Sequence, residues 1–238
     1  MIHLFGDSLS SGNIGVSLPS AIQQTFNINM CVHAVDGDTM RGVTARALRY
    51  VKKQAVDALI LECGSNDLLL PHFLQSGDAS RKQFASQLIH SSRRPAEDID
   101  EFIGEYTGVL PELAFIVDRI ALVSIPILGE RLDTPLQQKR REYNHRMKLT
   151  ARQLGLHYID ITRPLEELVR SGGSQSDYFF ESTDNFTRDA RLIAGDPNKA
   201  DKLSSERGLH ATIDGVHLNA QAAEAAASAF KEFLFQES

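Results

Sequence analysis

The chain has 238 residues, 42% hydrophobic and 24% charged, a composition that suits a single globular domain spanning 1–238 with one large core. Its net charge of −6, with no basic run longer than Lys139-Arg140-Arg141, argues against general nucleic-acid binding, and that run reads as a solvated helix face. No apolar stretch approaches the ~20 residues of a membrane span, and no basic-then-apolar leader opens the chain, so a cytoplasmic location is expected, or a secreted one if a leader has been removed.

Strands and helices alternate along the sequence. Met1–Phe5 reads as a first strand and is followed by the Gly/Ser-rich segment 6–15 and a helix over about Val16–Phe26. Ile28–Val35 is a second strand, Met40–Gln54 a helix, and Ala58–Glu62 a third strand. Helical patterning covers Arg81–His90 and Ala96–Val117, and Arg119–Ile125 is a fourth strand stopped by Pro126. Leu136, Tyr143, Met147 and Leu154 recur at helical spacing over Leu136–Leu154, and Leu156–Ile161 is a fifth strand. Ser171–His210 is a long polar connection carrying Tyr178-Phe179-Phe180 and Phe186, aromatics that either line a pocket or anchor the segment. A last helix starts at an Asn219 N-cap, with Ala222, Ala226, Ala229, Phe230 and Phe233 as its inner stripe.

Repeated β-α units imply right-handed crossovers and a parallel sheet covered on both faces, a three-layer α/β/α architecture. The near-continuous apolar strands agree with a sheet buried on both sides. Cys31 and Cys63 have neither metal nor redox spacing and are expected as reduced thiols in buried strands, not bonded to each other. Asn185-Phe186-Thr187 matches a glycosylation sequon that an unexported chain would not use.

In a flavodoxin-like sheet of order 2-1-3-4-5, ligands bind beyond the strands' carboxyl ends where the order reverses. Ser8 follows the first strand in Gly6-Asp7-Ser8-Leu9-Ser10, Gly37 follows the second, and Asn66 follows the third in Gly64-Ser65-Asn66-Asp67. The three are expected to converge on one crevice. Near the end, Asp214-Gly215-Val216-His217 precedes the last helix. His217 is the candidate base for the Ser8 hydroxyl, and Asp214 lies within one turn of its imidazole.

These four blocks, in this order, resemble the SGNH/GDSL hydrolase family over nearly the whole chain, and the stretch from Arg141-Glu142-Tyr143-Asn144 to Tyr158-Ile159-Asp160 looks like its helix leading into the last strand. The resemblance implies a serine esterase distinct from the α/β-hydrolases, in keeping with the lack of a G-x-S-x-G elbow. It also implies catalytic Ser8, Asp214 and His217, an oxyanion hole from the Ser8 and Gly37 amides and the Asn66 side chain, no metal and no cofactor. Asp7, Asp38 and Asp67 fit the family pattern as structural hydrogen-bonding groups. His33 and Asp36 depart from it, standing where many members carry an asparagine and a small residue. Asp36 is expected to face away from the site and cap the next helix.

Two other readings remain at this level. Asp36-Gly37-Asp38-Thr39-Met40 nearly matches the D-x-D-x-[TV] signature of haloacid-dehalogenase-type phosphatases, with Asp36 as nucleophile, Asp38 as acid/base, Mg²⁺ as cofactor, and Gly195-Asp196 through Asp201 as the distal acidic motif. A catalytically silent binding module on the same fold is the other. Within the esterase reading, the substrate is a small ester, a short acyl or carbohydrate O-acetyl group being favoured because no extended apolar stretch suggests a long acyl tunnel. The segment 171–210 is expected to be an insertion at the active site.

Overall fold

β1 (Ile2–Gly6) lies between β2 and β3 in a five-stranded, all-parallel sheet of order β2-β1-β3-β4-β5, as the expected topology requires. The computed structural model describes residues 1–173, 176–180 and 183–235. β3 (Ala58–Glu62) is buried along its whole length, and β4 (Arg119–Val123) follows it in register, Ala58 opposite Arg119 and Glu62 opposite Val123. β5 (His157–Ile159) is short and pairs only with the end of β4. β2 (Met30–Ala34) is an edge strand, so Val32 is exposed and Cys31 only part-buried, in contrast to the fully buried strand expected there. Cys63, just beyond β3, is buried, and both thiols are free.

The crossovers distribute the helices between the two faces. α2 (Leu18–Phe26) and α8 (Thr162–Gly172) pack on α11 (Ala220–Ser228), where Ala222, Ala223, Ala226 and Ala227 are buried and their small side chains permit a close helix approach. On the other face α3 (Met40–Val51) packs on α6 (Ile99–Ile116), and α6 on α7 (Pro135–Gln153). Asn219 caps α11 as expected, accepting from the Ala222 amide at 2.9 Å, and the final helix breaks before α12 (Lys231–Phe235).

Arg140 departs from the solvated face expected for the basic run. It is fully buried on α7, where its guanidinium donates to Glu166 on α8 and to Gln137, so a charged residue ties two helices together. α7 also carries Asn144, which donates to the Ile125 carbonyl and accepts from the Ile125 amide, both at 2.8 Å. That reciprocal pair fixes the chain as it leaves β4.

Four helices gather beyond the carboxyl end of the sheet. α4 (Ser65–Gln75) packs on α5 (Ala79–His90), and the expected polar connection contains α9 (Thr183–Ile193) and α10 (Pro197–Glu206). Residues 174, 175, 181 and 182 of that connection lie outside the described residues. α9 leans on α5, and a buried ion pair between Asp189 and Arg207 secures it, with contacts of 2.7 and 2.8 Å. Among the described residues no helix is long and apolar enough to cross a membrane.

Candidate active site

β1 ends at Gly6, and the chain turns at once into the single-turn helix α1 (Ser8–Ser11), which places Ser8 at its first position. Asp7 caps that turn by accepting from the Leu9 amide at 3.0 Å. The turn is held from below by Glu62, the last residue of β3, whose Oε2 accepts from the Asp7 amide at 3.1 Å and from Ser10 Oγ at 2.7 Å. Ser8 is left part-exposed above the sheet.

His217 Nδ1 lies 2.7 Å from Asp214 Oδ2, and Nε2 lies 3.0 Å from Ser8 Oγ. Asp214 can only accept, so Nδ1 carries the proton and Nε2 is free to receive the hydroxyl's. Asp214 Oδ1 accepts from the Val216 and His217 amides at 2.9 and 2.8 Å. Burial disfavours the charged forms of both partners, but the charge of each on the other outweighs it. The Asp214 carboxyl is held below its usual range and the His217 imidazole above its own. Asp36 and Asp189 add to the rise at His217.

Gly215 lets the turn between these two residues form. It adopts φ +89°, and a Cβ there would stand 2.8 Å from the Phe179 ring. Glu130, in the β4–α7 connection, anchors the same loop from the other side. Its buried carboxylate accepts from the His210, Ala211 and Thr212 amides, each at 2.8 Å, and from Thr212 Oγ1 at 2.9 Å. No motif marks Glu130 in the sequence, so its part was not legible there.

Ser8, Gly37, Asn66 and His217 line one cavity of about 200 Å³. Neither the Ser8 nor the Gly37 amide has an acceptor among the described residues. Gly37 has φ +72°, and a Cβ on it would press to 2.9 Å from Leu88. Asn66 Nδ2 donates to the Asp38 carbonyl at 2.9 Å and to Asp7 Oδ2 at 3.2 Å. Burial, together with the neighbouring Glu62, holds the Asp7 carboxyl well above the usual carboxylate range.

Asp67 and Asp38 take the structural parts expected of them. Asp67 accepts from the Met40 and Ala96 amides, and burial pushes its carboxyl up to about 6. Asp38 accepts from the Thr39 amide and pairs with Arg46 at 2.9 Å. Asp36 does not cap α3 as expected, since the Thr39 and Met40 amides already have acceptors in Asp38 and Asp67. It is exposed at the cavity's rim and accepts from Asn13 Nδ2 at 2.8 Å. His33 faces away from the cavity, stacked on Phe5 with ring centroids 4.3 Å apart.

The residues of the phosphatase signature have other partners. Asp38 is committed to Arg46, Asp196 caps α10 by accepting from the Asn198 amide, and Asp201 accepts from the Ala220 amide. Among the described residues no group of three or more His, Cys, Asp or Glu side chains is placed to hold a metal ion. The aromatics of 171–210 take both offered parts: Phe180 and Phe186 line the cavity, while Phe179 packs over Gly129 and Gly215.

Residues 4–225 match the GDSL-like lipase/acylhydrolase family. No curated protein matches the chain in sequence. Among solved structures, an acetylxylan esterase from Geobacillus stearothermophilus is similar with a TM-score of 0.62 at 16% identity, covering 99% of this chain and 94% of that one. A member of the lipolytic protein G-D-S-L family from Veillonella parvula is similar with a TM-score of 0.62 at 15% identity, covering 99% and 98%. Catalytic mutants of the Geobacillus esterase replace one serine, one aspartate and one histidine, the last two being three residues apart.

Proposed function

The chain belongs to the GDSL-like lipase/acylhydrolase family and is a hydrolase of ester bonds, and from that premise we propose that it is a serine esterase in which Ser8, His217 and Asp214 act through an acyl-enzyme. The observation that carries the reading is the continuous relay from Ser8 Oγ to His217 Nε2 at 3.0 Å and from His217 Nδ1 to Asp214 Oδ2 at 2.7 Å. The aspartate–histidine spacing equals that of the catalytic pair in the Geobacillus esterase. In this reading the whole chain is one hydrolase domain, and about 171–210 is an insertion that roofs the site.

Ser8 Oγ attacks the ester carbonyl carbon as His217 Nε2 takes its proton, and Asp214 stabilises the imidazolium. The carbonyl oxygen becomes an oxyanion held by the Ser8 and Gly37 amides and by Asn66 Nδ2, whose bond to Asp7 is the one exchanged. Collapse returns the proton to the leaving alcohol. Water, deprotonated by His217, then releases the acid and restores Ser8.

The substrate is a small ester. The reading is tested by hydrolysis of p-nitrophenyl esters in EDTA. Turnover that survives chelation supports it, whereas activity that depends on added Mg²⁺, or no activity on any ester, overturns it.

A further inference from the structure

Most of the apolar wall of the cavity beside Ser8 comes from four separate places: Leu69 and Phe73 of α4, Phe84 and Leu88 of α5, Phe180 of the strap before α9, and Phe186 of α9. Phe180 and Phe186 stack with centroids 3.6 Å apart, Phe84 meets them edge-on at 5.2 and 5.5 Å, and Phe73 meets Phe180 at 5.4 Å. Interlocked rings of this kind resist collapse, so the space persists without an occupant. The strap is fixed as well: Arg81 donates to the Phe180 and Phe179 carbonyls at 2.7 and 3.0 Å, and the Phe180 amide donates to the Asp214 carbonyl at 2.9 Å.

Resting on the esterase reading above, we propose that this cavity is an acyl pocket and that the enzyme's substrates are esters of straight-chain carboxylic acids of about six to eight carbons. An apolar cavity of about 150 Å³ takes up benzene, with six heavy atoms, so about 200 Å³ holds about eight. An acetyl group would leave most of that apolar volume unfilled. Apart from Asp36 at the rim and the groups already placed in the reaction, the lining offers no hydrogen-bonding side chain among the described residues. A sugar entering it would lose water from its hydroxyls without replacement. The pocket serves the acyl rather than the alcohol side because the alcohol leaves after the first step, while the acyl chain stays on Ser8 and must be enclosed through two. The short-acyl preference read from the sequence rested on the lack of one long apolar stretch, and the fold instead assembles the wall from one or two residues of each of several separate segments.

The test is kcat/KM on p-nitrophenyl esters from acetate to dodecanoate, with acetate esters of longer alcohols as the reciprocal series. The expected profile rises about three- to fourfold per methylene from acetate, peaks at hexanoate to octanoate and falls by dodecanoate. Leu69→Phe, which fills the pocket, is expected to lower the octanoate-to-acetate ratio at least tenfold. A maximum at acetate, a profile flat in acyl length, or a gain that follows the alcohol's length overturns the proposal. Binding of neutral methyl ketones to the same protein separates it from the esterase reading. Tighter binding of 2-octanone than of 2-butanone without any ester turnover would support the apolar-chain pocket and overturn the esterase. Turnover with equal ketone binding would do the reverse.

Discussion

The Glu130 carboxylate accepts from both the amide and the hydroxyl of Thr212, at 2.8 and 2.9 Å, and so ties the β4–α7 connection to the loop that carries Asp214 and His217. Two more amides of that loop use the same carboxylate, which leaves the loop little freedom to shift. Glu130→Ala leaves three amides and a hydroxyl without their acceptor, each costing about 1–3 kcal/mol where it stays buried. We expect a lower Tm and a fall in kcat of about 10- to 100-fold with KM little changed, because misplacing the base hurts the chemical step. Glu130→Gln, which keeps one accepting oxygen, is expected to fall between. Wild-type kcat in Glu130→Ala would show that the loop holds its geometry unaided.

Ser8→Ala and His217→Ala are each expected to reduce kcat by about 10³- to 10⁶-fold, and the double variant to be little worse than either, since members of a relay act as a unit. A serine-directed organophosphonate is expected to add one equivalent, found by mass on the peptide that carries Ser8. A tenth of wild-type activity remaining in Ser8→Ala would mean that another group attacks the ester.

Asn66→Ala is expected to lower kcat by about 10²- to 10³-fold with KM nearly unchanged, as for a donor that serves the developing oxyanion rather than the bound ester. A change confined to KM would make Asn66 a binding residue. The structure adds that Asn66 Nδ2 already donates to the Asp38 carbonyl, which fixes where its other N–H points.

Much of this frame was visible in the sequence because it rests on local patterns. β1, β3 and β4 are apolar runs between breakers, and Ser8, Gly37 and Asn66 each follow a strand, so the sheet order brings them together. α4 was hidden because Gly64 to Asp67 reads as a turn, while Leu68, Leu69, Leu70 and Pro71 show no helical period. α9 and α10 were hidden because they are short and polar, and their hold on the protein comes from one ion pair and a few side chains. Arg140 looked solvated beside Lys139 and Arg141, since its partner Glu166 is 26 residues away. The cavity wall and Glu130 were beyond reach for the same reason: each depends on contacts between distant segments that leave no periodic mark.

The acid limb of the pH profile reports His217, which must be neutral to accept the Ser8 proton. Burial alone would lower its pKa, but Asp214, and after it Asp36 and Asp189, hold it above the ordinary histidine value of about 6.5. kcat/KM is therefore expected to be low in acid and to climb through a midpoint above that value. Asp36→Asn removes one of the anions that favour imidazolium, so the limb is expected to move to lower pH while the alkaline plateau is largely kept. Asp36 is exposed, and its influence on His217 is expected to weaken as salt rises and the screening length falls below about 8 Å. The difference in midpoint between the wild type and Asp36→Asn should then narrow from low to high ionic strength. A midpoint that moves upward in Asp36→Asn, or stays put at low salt, would remove Asp36 from the electrostatics of the site. Loss of all turnover would instead give its carboxylate a direct part in the reaction.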